Sequence, residues 1–135
     1  MIIRLGYVAI SNAVNATSSS PYTYSEYLNK NNIDKLDGVI KSNLLALEKI
    51  LKYNVKNNIH FYRMSSKIIP LATKNDVCFN YTTKYKTCYD RIAKIINENE
   101  MRVDFHPDQF CVLNSTNKDV VMNSISILEY HYNLY

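Results

Sequence analysis

Met101-Arg-Val-Asp-Phe-His-Pro-Asp-Gln-Phe-Cys-Val-Leu-Asn114 is the stretch on which the reading of this chain turns. Val103 and Phe105 alternate with Arg102 and Asp104, the two-residue period of a strand with unlike faces. Pro107 stops it, because proline locks its own φ and has no N–H to continue a ladder. His106 is thereby delivered from the end of a strand into a loop, where α/β proteins place their working groups. The plain alternative is a histidine that caps the strand and bonds locally.

Working outward, the same grammar repeats. Upstream, Lys84 to Asn99 reads as a helix with Tyr85, Cys88, Ile92 and Ile95 on one face. Downstream, Asn117 is a good cap for a last helix that stacks Val121, Ile125, Leu128 and Tyr132. Ile59 to Met64 reads as a second strand running into Ser65-Ser66-Lys67, followed by a loop with Pro70 and the polar stretch Thr73 to Asp76. Before it lies a long helix, capped at Asp34, with Leu36, Ile40, Leu44, Leu47 and Leu51 as its apolar stripe and Asn57-Asn58 as its end. Ile2 to Ala9 reads as the first strand, and Ser11 to Tyr27 as a long polar loop with a Ser18-Ser19-Ser20-Pro21 cluster.

Strand and helix alternate three times, which predicts parallel strands joined by right-handed crossovers. The chain of 135 residues is one domain, residues 1–135, with three βα units. A closed (β/α) barrel takes eight strands and about 250 residues, so the expectation is part of a larger architecture.

Composition sets the class. A hydrophobic share of 47% and a charged share of 21% suit a water-soluble globular domain, and no apolar run is long enough to span a bilayer. The first residues lack the pattern of a signal peptide, and the three cysteines form no C-x-x-C pair. Free thiols and a cytoplasmic location are expected. The net charge of +4 gives mild support to a nucleic-acid partner.

The loops that follow the strands should share one face. They bring together Tyr7 to Asn15, Arg63 to Lys74 and His106 to Asn114. On that face Arg63 and Lys67 can engage phosphates, while Gln109 and Phe110 offer a base one hydrogen-bonding and one stacking group. The alternatives are that Arg63 pairs with Asp104 and that Phe110 fills the core. His106 suits a metal ligand, but zinc or manganese needs three or more donors. Asp108 is either a further carboxylate or a turn residue. His60, at the opposite end of its strand, reads as structural, and His131 as a surface or packing histidine. P-loop, G-x-S-x-G and H-E-x-x-H patterns do not occur.

Three segments together carry a resemblance. Arg4-Leu-Gly-Tyr7, Phe61-Tyr-Arg-Met-Ser-Ser-Lys-Ile-Ile-Pro-Leu-Ala72 and Arg102-Val-Asp-Phe-His-Pro-Asp-Gln-Phe110, with Val112-Leu-Asn114, resemble the UV damage endonuclease family in order and spacing. The resemblance covers essentially the whole chain and corresponds to about the N-terminal half of a family member. It implies a partial TIM-type barrel akin to the xylose-isomerase-like and apurinic endonuclease barrels. It further implies an enzyme that uses divalent metal, manganese in the usual case, to hydrolyse UV-damaged double-stranded DNA 5′ of a photoproduct. His106 resembles the metal-ligand histidine of the family's His-Pro motif. Gln109 matches the lesion-probing glutamine, and Phe110 stands where its aromatic partner, often Tyr, is found. Tyr7, and with it Asn15, resembles the residues that press on the damaged strand from the first loop.

Two departures qualify what is implied. Lys74 stands where the family commonly has a metal-binding His, and a protonated ammonium has no lone pair to donate. The Glu, His and Asp ligands of later strands are missing, so a missing C-terminal half and little or no nicking by the chain alone are expected. The competing readings are a non-catalytic remnant that binds damaged DNA, a half that needs a partner chain, and a fragment of a sugar-isomerase-like barrel.

Overall fold

The computed structural model describes residues 4–30, 33–74, 76–77 and 79–135. Its elements run β1 (Gly6–Val8), α1 (Tyr24–Lys30), α2 (Ile33–Lys56), β2 (Phe61–Ser65), α3 (Tyr81–Lys84), α4 (Lys86–Glu98), β3 (Arg102–His106) and α5 (Lys118–Leu134). The three strands form one parallel sheet in the order β1-β2-β3. The expected strand–helix alternation is therefore present, as three units of a partial (β/α) barrel.

Register assigns every strand residue to a face. Tyr7 pairs with Tyr62 and Tyr62 with Val103, while Met64 pairs with Phe105. Tyr62, Met64 and Val103 of this set are buried beneath the helices. The intervening residues make the other face: Gly6, Phe61 and Arg102 in one row, Val8, Arg63 and Asp104 in the next, and Ser65 with His106 at the carboxyl end.

α2 supplies more of the core than any other element. Its stripe of Leu36, Ile40, Leu44, Leu47 and Leu51 is buried as the spacing predicts, together with Ile50. Each such side chain contributes about 1.5–3 kcal/mol of burial energy. The helix starts at Ile33, so Asp34 lies in the first turn, where a carboxylate favours the helix N-terminus, instead of at the cap. It ends at Lys56, and two residues on, Asn58 takes a φ of 56°, the left-handed conformation that turns a chain out of a helix. Asp37 ties the N-terminal half of α2 to α3 and α4, accepting from Lys41 at 2.7 Å, Lys84 at 2.9 Å and the Tyr85 hydroxyl at 2.6 Å. Burial alone would raise its pKa, but those three donors outweigh burial and hold the carboxyl well below the usual range.

Three expectations need correction. The segment from Ser11 to Tyr27 is not loop throughout, because α1 begins at Tyr24. Thr23 starts it: its N–H and hydroxyl both donate to Glu26 at 2.8 Å, and the Glu26 N–H donates back to its oxygen. The face of α5 is also different. Ser124, Tyr130 and His131 are buried, whereas Leu128 and Tyr132 of the expected stripe are exposed. Aliphatic periodicity missed this because the buried groups of α5 are polar or aromatic. Finally, Tyr7 lies within β1 and not in the loop after it. The Ile2 and Ile3 part of the first-strand expectation and Cys78 lie outside the described residues; Cys88 and Cys111 are free thiols.

Candidate nucleic-acid interface

The carboxyl ends of β1, β2 and β3 carry the three loops that the alternation predicts. After β1, Ala9 takes a left-handed φ of 51° and is held at both ends, its N–H by Arg63 O and its carbonyl by the Tyr62 hydroxyl. After β2, Leu71 is left-handed as well, at φ 62°. Asn43 joins these two loops from inside the core. Fully buried on α2, it donates to Ser20 O at 3.1 Å and Ile68 O at 3.0 Å and accepts from Ser20 N at 2.8 Å. Nothing in the sequence reading singled it out, although an Asn in the stripe between Ile40 and Leu47 is the mark of a buried polar anchor.

After β3 comes the quoted stretch. His106 is exposed, and its Nδ1 lies 2.7 Å from the carbonyl oxygen of Pro107. A carbonyl only accepts, so Nδ1 is the donor, and whenever the ring is neutral Nε2 is the nitrogen with the lone pair. That is the tautomer a metal-ligating histidine adopts, with its other nitrogen donating to a backbone oxygen. Asp108 is a turn residue: its Oδ1 accepts from Phe110 N at 3.0 Å and its carbonyl from Cys111 N at 2.9 Å. The turn lifts Gln109 and Phe110 clear of the protein, and Phe110 is 67% exposed, so it does not fill the core.

The remaining expected site residues part company. Lys67 is exposed beside this turn and lines, with Asp108, Phe110 and His131, a cleft of about 420 Å³ between the β2 loop and α5. Arg63 is forked onto Asp104, Nε to Oδ1 at 2.8 Å and Nη2 to Oδ2 at 3.0 Å, which is the pairing weighed against a phosphate role. Those hydrogen bonds, working against burial, hold the Asp104 carboxyl below its usual value, and Arg102 and His106 add to the effect. The Tyr7 ring packs edge-on against Tyr62 on the helix-facing side, and its hydroxyl donates to Asn54 Oδ1 at 2.7 Å. It therefore faces away from His106 and does not press outward from a loop. Asn15 is exposed in the β1–α1 loop. His60 Nδ1 meets Asn99 O at 3.3 Å, at the amino end of the sheet.

Lys74 stands with its ammonium 5.4 Å from the centre of the Tyr24 ring, and the Tyr24 hydroxyl donates to Asp76. Among the described residues no three His, Cys, Asp or Glu side chains gather into a group that could hold a metal ion. His106 offers one well-prepared donor, and one donor does not make a site.

A profile of the family described as UV-endonuclease UvdE matches residues 3–135. The chain belongs to that family. A UV DNA damage endonuclease of Bacillus mycoides is 37% identical over 138 residues, covering 99% of this chain and 44% of the relative. One of Bacillus anthracis is 38% identical, covering 98% of this chain and 43% of the relative. The crystal structure of SacUVDE superposes with a TM-score of 0.91 at 34% identity, over 98% of this chain and 45% of that one. The chain thus spans a little under half the length of the family members it matches. No described helix is long and apolar enough to cross a membrane.

Proposed function

We propose that this chain is the lesion-contacting part of a UV damage endonuclease that acts in the cytoplasm on UV-damaged double-stranded DNA. The observation that carries the reading is the turn after β3. It presents an exposed amide, Gln109, and an exposed ring, Phe110, side by side at the carboxyl end of the sheet. A stacking ring and a hydrogen-bonding amide are what engage a base that has lost its stacking partner. Lys67, on the adjacent loop, supplies a positive charge for the backbone.

In the whole barrel a divalent metal cluster, manganese by the family pattern, would supply an activated water and charge stabilisation for phosphodiester hydrolysis 5′ of the photoproduct. The described residues bring His106 alone to that site, so the further donors belong to other βα units, whether on a continuation of the chain or on a partner. The 135-residue chain alone therefore binds and does not cut.

The test is to incubate the chain with UV-irradiated and untreated supercoiled plasmid in the presence of manganese, and to measure its affinity for irradiated and untreated duplex. Preference for irradiated DNA without nicking is expected. Efficient conversion to nicked circles overturns the inactivity, and equal affinity for both duplexes overturns the lesion reading.

A further inference from the structure

Ser124 is fully buried on α5, one of few polar side chains that are. Its hydroxyl donates to Val120 O at 2.8 Å, an ordinary bond for a helical serine. The same oxygen accepts from Val112 N at 2.8 Å, and the Ser124 carbonyl lies 3.7 Å from the Cys111 thiol that donates to it. Two consecutive residues just beyond Gln109 and Phe110 are thus hung on one residue of α5. On the near side, Asp108 holds the Phe110 and Cys111 N–H groups. The turn is anchored at both ends while its two outward side chains stay exposed. Further along α5, the Tyr130 hydroxyl accepts from Ile69 N at 3.2 Å and steadies the β2 loop in the same way.

We infer that Ser124 is a positioning residue for the Gln109–Phe110 turn, setting through Val112 where the amide and the ring meet DNA. The inference rests on the reading of that pair as the lesion-contacting group. If Ser124 were present only because a small side chain fits between α5 and the loop, alanine would serve equally. A hydroxyl differs in one respect: it takes up a loop N–H that alanine leaves without its acceptor.

Amide exchange in the 135-residue chain reads the anchor directly. Ser124→Ala should speed exchange at Val112 by about fivefold, the worth of one ordinary hydrogen bond, with the sheet amides unchanged. Ser124→Thr, which keeps the oxygen, should restore it. Ser126→Ala is the control, since it removes only the bond from Ser126 to Met122 O on the same helix. In binding, the preference for irradiated over untreated duplex should fall by a similar factor in Ser124→Ala and return in Ser124→Thr, with affinity for untreated duplex constant.

Unchanged Val112 exchange in Ser124→Ala overturns the inference, and so does faster exchange with the lesion preference intact. If the unaltered chain shows no lesion preference, it is the lesion reading that fails, and exchange still decides whether the anchor exists. Should Ser124→Ala not fold, the unaltered chain decides: Val112 must exchange about fivefold more slowly than the exposed Gln109, and equal rates overturn the anchor.

Discussion

Arg63 and Asp104 face each other across the β2–β3 register and are joined by two hydrogen bonds, one row below His106 on the face of the sheet opposite Tyr62 and Val103. A guanidinium held by a carboxylate is already neutralised. Arg63 is therefore a poor candidate for a phosphate contact, and the exposed Lys67, whose ammonium has no carboxylate partner among the described residues, is a better one.

Salt dependence separates the two. Lys67→Gln should flatten the slope of log affinity against log salt for duplex DNA by about 0.9, the value of one phosphate contact. Arg63→Gln should leave that slope unchanged. Its effect belongs to stability, where a double-mutant cycle with Asp104→Asn should show a small favourable coupling that weakens as salt is raised.

Tyr7 makes the opposite case. Its hydroxyl is the partner of Asn54 Oδ1, and Asn54 Nδ2 is buried with no hydrogen-bond partner among the described residues. Tyr7→Phe strands the whole amide, at a cost of about 1–3 kcal/mol in urea denaturation. The preference for irradiated duplex should not change; a loss of preference at unchanged stability would show Tyr7 reaching DNA after all.

The two glycines should respond in opposite directions. A Cβ on Gly6 collides with the carbonyl oxygen and ring of Phe61 in the neighbouring strand, so Gly6→Ala should lose about 1–3 kcal/mol. Gly38, inside α2, has open space around it. Gly38→Ala should gain about 0.5–1 kcal/mol from helix propensity. Urea midpoints of the two variants check both signs.

His131 lies stacked on Phe105 at 4.9 Å, its Nε2 has no hydrogen-bond partner among the described residues, and burial lowers its pKa. The folded state thus prefers the neutral ring, while the unfolded chain takes up a proton near pH 6.5. Stability from this source is complete above that pH and is lost as pH falls through the lowered folded value, by at most about 1.4 kcal/mol per pH unit. His131→Phe keeps the stack and removes the proton. Its stability profile between pH 7 and 5 should be flatter than that of the unaltered chain.

The architecture was legible because strands and helices announce themselves through period and punctuation. Val103 and Phe105 before Pro107, and the leucine stripe of α2, needed no tertiary information. Direction was harder to read. A three-residue strand such as β1 has apolar candidates on both faces, so alternation alone could not tell which way Tyr7 points. Partnership was hardest. Asn43, Asn54 and Ser124 look like interruptions of apolar stripes, and their use appears only when the distant N–H and C=O groups that they satisfy come into view. The pairing of Arg63 with Asp104 was foreseeable because opposite charges sat at matching places in adjacent strands. The roles proposed for His106, Gln109 and Phe110 could be read from the sequence only through family likeness, and their shared exposure after β3 came with the structure.

β1 and β3 are the outer strands of the sheet, and no other described strand lies beyond either. On β3 the carbonyl of Val103 turns outward and takes a hydrogen bond of 3.3 Å from the Tyr135 hydroxyl. A parallel edge left bare is a template for any extended peptide, including another copy of itself. Tyr135, with most of its ring in solvent, occupies one acceptor of that template. A strand that adds beside β3 competes with this hydroxyl for the Val103 carbonyl.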